Sequence, residues 1–163
     1  MRRLIRKAAP ILLATAALMV LFSTTPPKAV EAATPFDTLL GTWRGSGNVK
    51  LNTGMERLSC NAYYTGGGSQ LGMAIRCKSD SSNVEIRSKL SLSGGRITGN
   101  WEERTYNASG SASGTASPGR IAISVSGSIR GSMVVNYSRT SQSVSISTTG
   151  SPLQSVSINL TRS

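Results

Sequence analysis

From Thr42 onward the chain alternates polar and apolar residues with a period of two. The clearest stretch is Val84-Glu85-Ile86-Arg87-Ser88-Lys89-Leu90-Ser91-Leu92, then Ser93-Gly94-Gly95-Arg96, then Ile97-Thr98-Gly99-Asn100-Trp101-Glu102-Glu103-Arg104. Period two places successive side chains on opposite faces of a half-buried strand, and Gly-Gly between two such runs is a hairpin signal. Folding about Gly94-Gly95 sets Ser88 opposite Trp101, Leu90 opposite Gly99 and Ile86 opposite Glu103 on the apolar face. On the polar face Glu85 meets Arg104 and Arg87 meets Glu102. Opposite charges facing each other across a ladder support that register, each pair by a few tenths of a kcal/mol.

The same pattern runs through ten segments, near 42–51, 56–66, 69–79, 83–93, 96–106, 108–117, 120–128, 130–138, 142–149 and 153–161. Short turns of Gly, Pro, Asn, Asp and Ser separate them, and connections this short make neighbouring strands antiparallel. The expected class is all-β: an antiparallel up-and-down meander of about eight to ten strands, closed into a small barrel that removes the exposed edges. An open sheet or β-sandwich is the second arrangement. Charged residues occupy one face and apolar residues the other, the reverse of a barrel whose apolar face meets lipid. Pairing the second and third segments around Gly66-Gly67-Gly68 sets Tyr64 opposite Met73, Ala62 opposite Ile75 and Cys60 opposite Cys77. Directly opposed residues on neighbouring strands lie within disulfide reach, so one Cys60–Cys77 bond is expected, worth about 3 kcal/mol by the chain-entropy model. Two cysteines without a histidine make a poor zinc site, and no metal or cofactor is expected.

Residues 1–32 read as a secretory signal. Arg2, Arg3, Arg6 and Lys7 precede an apolar run from Ala8 to Phe22, and Val30-Glu31-Ala32 supplies small residues before a cleavage point after Ala32. Retention as an anchor is the alternative. Residues 33–40 form a short N-terminal extension and 41–163 a single barrel domain. Export to a bacterial periplasm or beyond puts the cysteines in an oxidising compartment. From residue 33 the chain holds thirteen Lys and Arg against six acids, a net charge of +7. The cations stand singly along strands with few aromatics between them, which argues against nucleic acid as partner and leaves attraction to an anionic envelope surface as a third reading.

Leu40-Gly41-Thr42-Trp43-Arg44-Gly45-Ser46-Gly47 resembles the G-x-W opening of the calycin superfamily, which includes lipocalins, fatty-acid-binding proteins and avidins. The resemblance implies that Trp43 plugs the closed end of the barrel and that a basic residue ending the last strand, here Arg162, lies across it. The departures are plain. Only Trp43 and Trp101 are present where avidins stack biotin among several Trp residues, and the lipocalin helix has no counterpart. The chain also resembles small exported alphaproteobacterial proteins that join a GTW-G-G start, a cysteine pair and a G-x-W-x-E segment (Gly99, Trp101 and Glu103). That likeness implies export and supplies no activity.

The absence of histidine removes the usual general base and any Ser/His or Cys/His system. Glu56 and Glu103 fall at the same end as a possible carboxylate pair, but the chain is expected to be non-enzymatic. Glu103 is the odd residue, a carboxylate on the apolar face, where it would meet a ligand at the open mouth. With it, Trp101, Ser88, Met73, Met133, Tyr64 and Tyr137 project inward and are the candidate ligand-binding residues. The leading expectation is an exported barrel that binds a small apolar or amphipathic molecule. The alternative is a protein-interaction module. Small periplasmic protease inhibitors are also single-disulfide barrels with a Trp-bearing first strand, and in that resemblance residues 33–40 form the flexible blocking trunk.

Overall fold

The computed structural model describes residues 33–163, and the expected signal segment lies outside the described residues. Ten strands follow in order: β1 Gly41–Leu51, β2 Gly54–Gly67, β3 Gln70–Lys78, β4 Asn83–Ser93, β5 Arg96–Glu103, β6 Ala108–Ser117, β7 Arg120–Gly127, β8 Arg130–Tyr137, β9 Ser141–Thr149 and β10 Leu153–Arg162. Each pairs antiparallel with its chain neighbours, and β1 pairs with β10, so the sheet is a closed barrel. No helix occurs among the described residues.

The alternation accounts for the closure. Inward positions such as Leu58, Ile75, Leu90, Ile97, Ile121, Val135, Val144 and Ile158 are buried in one cluster, while the residues between them face water. Burying an aliphatic side chain is worth about 1.5–3 kcal/mol, so a one-residue slip, which would turn every such side chain outward, is strongly disfavoured. Gly94 and Gly95 both take positive φ, 55° and 76°, the mirror-image turn that joins β4 to β5 without splaying them. Across that turn Ser88 pairs with Trp101, Leu90 with Gly99 and Ile86 with Glu103, as the alternation predicts. Cys60 pairs with Cys77 at a Cα separation of 4.2 Å and the two form the disulfide.

Two expectations at this level are corrected. The first concerns charge. Glu85 lies beside the Arg104 backbone but its carboxylate binds Arg76 on β3 and Arg87 two residues along. A neighbour on the same face of the adjacent strand is nearer than a residue already entering a turn. The second concerns β8 and β9. Their loop is tighter than the sequence spacing suggests: Ser138 N–H donates to Ser141 C=O at 2.7 Å. The sequence spacing sets Met133, Val135 and Tyr137 opposite Thr148, Ile146 and Val144; instead Met133 faces Ile146, Val135 faces Val144 and Tyr137 faces Gln142, a displacement of two residues.

One end of the barrel is sealed by chain that precedes β1. Phe36 and Leu39 are fully buried, and Trp43 Nε1 donates to Leu39 C=O at 2.7 Å. Trp43 and Arg162 are paired across the β1–β10 seam, and the guanidinium carbon sits 4.2 Å from the indole centroid. Arg162 also donates to the carbonyls of Thr38, Leu40 and Arg139, tying the plug to the last strand. Asp37 completes the attachment by accepting from the Gly68 and Thr34 amides at 2.8 and 2.7 Å. Residues 34–39 are thus a fixed stopper and not the free trunk that a protease-inhibitor reading requires.

Candidate functional site

Chain direction puts the plug at one end of the barrel and the β1–β2, β3–β4, β5–β6, β7–β8 and β9–β10 turns at the other. Near the plug Trp43, Tyr64, Ile97 and Ile121 are buried, while Leu40, Leu92, Ala116 and Tyr137 are half-buried. At the far end Leu51, Trp101, Val125, Ile146 and Leu153 remain half-exposed while packing on the core beneath. A ring of inward apolar side chains that still reaches water is the mouth of a barrel, where a small molecule has both apolar contact and an entry path.

Trp101 is positioned by glycine. It pairs with Gly110 on β6, which pairs in turn with Gly127 on β7. A Cβ at Gly110 would lie 1.7 Å from the Ser126 carbonyl oxygen, and that oxygen accepts the Trp101 indole N–H at 3.2 Å. The glycine leaves room for β7 to approach and for the half-exposed indole to reach across β6 to that acceptor. On the other side of Trp101 stands Ser88, flanked across the ladder by Met73. Ser88 is 8% exposed and its hydroxyl has no hydrogen-bond partner. An unpaired buried hydroxyl costs about 1–3 kcal/mol. It is a buried polar point between Met73 and Trp101 on the inner face. Met133 is buried on β8, two pairs below Gly131 and Thr148.

Glu103 differs from expectation. It points inward and is 7% exposed, yet it is not open to the mouth. Its Oε1 accepts from the Glu85 and Thr105 amides at 3.0 and 3.1 Å, and its Oε2 from the Tyr106 amide at 2.6 Å. A carboxylate held by three backbone N–H groups organises a turn. It ends β5 at Glu103, where alternation alone would carry the strand to 106. Glu56, the other half of the suggested carboxylate pair, accepts from the Ser81 amide and hydroxyl and braces the β3–β4 turn. Both carboxylates are therefore engaged in turns and not aimed at a common point. Among the described residues no three His, Cys, Asp or Glu side chains converge as a metal site would require.

Tyr64 pairs with Met73, which pairs with Ser88, but its hydroxyl reaches Gln142 at the plugged end, where Tyr137 also lies, so the seven candidates do not share the mouth. Tyr64 OH donates to Gln142 Oε1 at 2.8 Å, and burial holds its phenol well above the ordinary range. Tyr137 OH donates to Pro35 C=O at 2.7 Å, with its phenol also raised by burial. Gln142, 3% exposed and with its Nε2 unpartnered, is the inward polar residue that sequence reading misses. The displaced β8–β9 register is the reason, because the expected pairing leaves Gln142 opposite a turn residue.

No family model matches the chain, and no curated protein is similar to it in sequence. Among solved structures it is similar to the S-type phycobiliprotein lyase of Guillardia theta, at 13% identity and a TM-score of 0.51, over 78% of this chain and 89% of that one. The likeness is one of fold. It corrects the expectation of a non-enzymatic protein, since a barrel of this architecture bears the name of a lyase. Lack of histidine removes one kind of active site and does not remove catalysis from such a barrel.

Proposed function

We propose that the protein is an exported, calycin-like barrel that takes a small apolar or amphipathic molecule at its open end. The observation that carries this reading is the half-exposed ring of Leu51, Trp101, Val125, Ile146 and Leu153 above the unpartnered hydroxyl of Ser88. The ring offers apolar contact, and Ser88 offers one hydrogen bond inside it, a combination that suits a mostly apolar body with a single polar group. Trp101, Ser88, Met73 and Met133 are the contact residues in this reading, and Tyr64 and Tyr137 are not. Export rests on the signal-like residues 1–32 and on the cysteine pair held at bonding distance. The lyase name of the similar barrel agrees with a small ligand, and any turnover of that ligand would show as a change in its mass.

Native mass spectrometry of the protein purified gently from its own cells tests the proposal. A small-molecule adduct is expected, lost on denaturation. It should disappear in Trp101→Ala and in Val125→Trp, which fills the mouth, and persist in Tyr64→Phe at the plugged end. A bare protein peak, or an adduct indifferent to both mouth variants, would refute it.

A further inference from the structure

The outer wall of the barrel is divided by charge. On β1 to β4 it carries Arg44 and Lys50, Arg57, Arg76 and Lys78, then Arg87 and Lys89, all exposed except the half-buried Arg87. Its own carboxylate, Glu85, is held by Arg76 and Arg87. At its mouth edge stand Asp80, exposed, and Glu56, bound to Ser81, and Glu102 follows on β5 opposite Arg87. The outward positions of β6 to β10 are instead mostly Ser, Thr and Asn, with Ala122 and Val134 paired among them, Arg120 and Arg130 at strand starts, Arg139 in the β8–β9 turn, Arg162 over Trp43 and no carboxylate; Arg96 begins β5 and Arg104 follows it. The large exposed apolar side chains follow the same division. Met55, 70% exposed, faces Lys50 at the β1–β2 hairpin. Tyr63 lies on β2 with the Arg76 guanidinium 5.6 Å from its ring centroid. Tyr106, 64% exposed, reaches Ser82 at the wall's mouth edge. Between β2, β3 and β4 runs a groove of about 700 Å³, lined by Arg57, Asn61, Arg76 and Lys78 and also by the carboxylates of Asp80 and Glu85, the second of which is held by Arg76 and Arg87.

We propose that this β1–β4 wall docks on an anionic lipid surface, with a headgroup phosphate in the groove and Met55 and Tyr106 at the acyl boundary. Basic side chains near an anionic leaflet are attracted within a Debye length, and amphipathic Tyr and long Lys and Arg stems suit the interface. The exposed Met55 and Tyr106 favour lipid over a soluble polyanion, which would reward the cations alone. The inference goes beyond the ligand reading and does not depend on it.

The test is co-sedimentation with vesicles of phosphatidylglycerol and phosphatidylcholine in equal parts, and with phosphatidylcholine alone. The protein is expressed with its native N-terminus and recovered in whatever form the cell releases. Residues 1–32 hold cations of their own, so the readout is the difference among variants that share that segment. Binding to the mixed vesicles is expected at about 0.05 M salt and its loss at about 0.5 M. The triple variant Arg57→Gln, Lys78→Gln, Lys89→Gln should weaken binding by about tenfold or more. The matched triple variant Arg120→Gln, Arg130→Gln, Arg139→Gln should change it by less than about twofold, and Met55→Ser should weaken it with all cations intact. Thermal melts confirm that each variant folds. Equal losses from the two Arg/Lys sets would overturn the proposal, since binding would then follow net charge and not this wall. So would equal binding to both vesicle types, no vesicle binding at low salt, or binding to soluble heparin without binding to vesicles.

Discussion

At the scale of single residues, parity along a strand tells which way a side chain starts but not what it meets. Glu103 starts inward, as its position predicts, and then meets the Thr105 and Tyr106 amides of the turn that follows and the Glu85 amide of β4. The directions of those amides depend on local φ and ψ, including the φ of 53° at Asn107, and no alternation pattern encodes them. Glu103→Gln keeps the size but removes the charge from these bonds. It should lower stability by about 1–3 kcal/mol in urea titration while leaving the mouth's ligand adduct in place. Unchanged stability would show that the turn does not need the carboxylate. Asp37 gives a pH effect with a definite sign. The Gly68 and Thr34 amides hold its carboxyl below the ordinary value, so its contribution is present above the unfolded pKa and lost as pH falls through the folded one. Thermal stability should therefore fall as the pH drops below about 4, and the fall should be shallower in Asp37→Asn. It should not vanish, because Glu56 and Glu85 are shifted in the same direction. At the plugged end, Tyr64→Phe strips Gln142 of its remaining side-chain partner at a cost of about 1–3 kcal/mol. Adding Gln142→Leu removes the orphaned amide, and the double variant should recover most of the loss. A double variant no better than Tyr64→Phe would argue against that coupling.

At the scale of elements, the strands, their direction and most of their register are legible, because a single burial rule repeats along the whole chain. The β2–β3, β4–β5 and β6–β7 pairings follow from it residue by residue. The β8–β9 pairing does not. A two-residue shift keeps every side chain on its own face, so burial alone discriminates weakly between the registers, and the Ser138–Ser141 turn decides. Gly110 is the point where elements and mouth depend on each other. In Gly110→Ala the new methyl would meet the Ser126 oxygen, so β6 and β7 must separate and Trp101 loses its acceptor. The expected result is a loss of about 1–3 kcal/mol together with a shift in the emission of Trp101. Trp43, sealed behind the plug, should keep its emission, and Trp101→Phe supplies the reference spectrum. Identical spectra for Gly110→Ala and the parent would mean that the indole does not rely on the glycine floor.

At the scale of the molecule, barrel closure was legible as a way of removing sheet edges, and the Trp43–Arg162 contact as a family likeness. The stopper was not, because Thr34 to Leu39 show no period and pack only once the barrel end exists to receive them. The seam between β1 and β10 joins residues from opposite ends of the described chain, Trp43 with Arg162 and Val49 with Val156. Without Leu153–Ser163, β1 and β9 would be bare edges and Trp43 would lose its cover. Such a truncated chain should show no cooperative melt and should aggregate, as light scattering would report. A monomeric truncation with a sharp transition would mean that the seam is dispensable. The seam also sets an order in time. A chain delivered from its N-terminal end holds nine strands and an open side until the tenth has emerged, and no shorter length can latch shut. The cylinder stays unfinished, and the polymer threadable, until β10 is through.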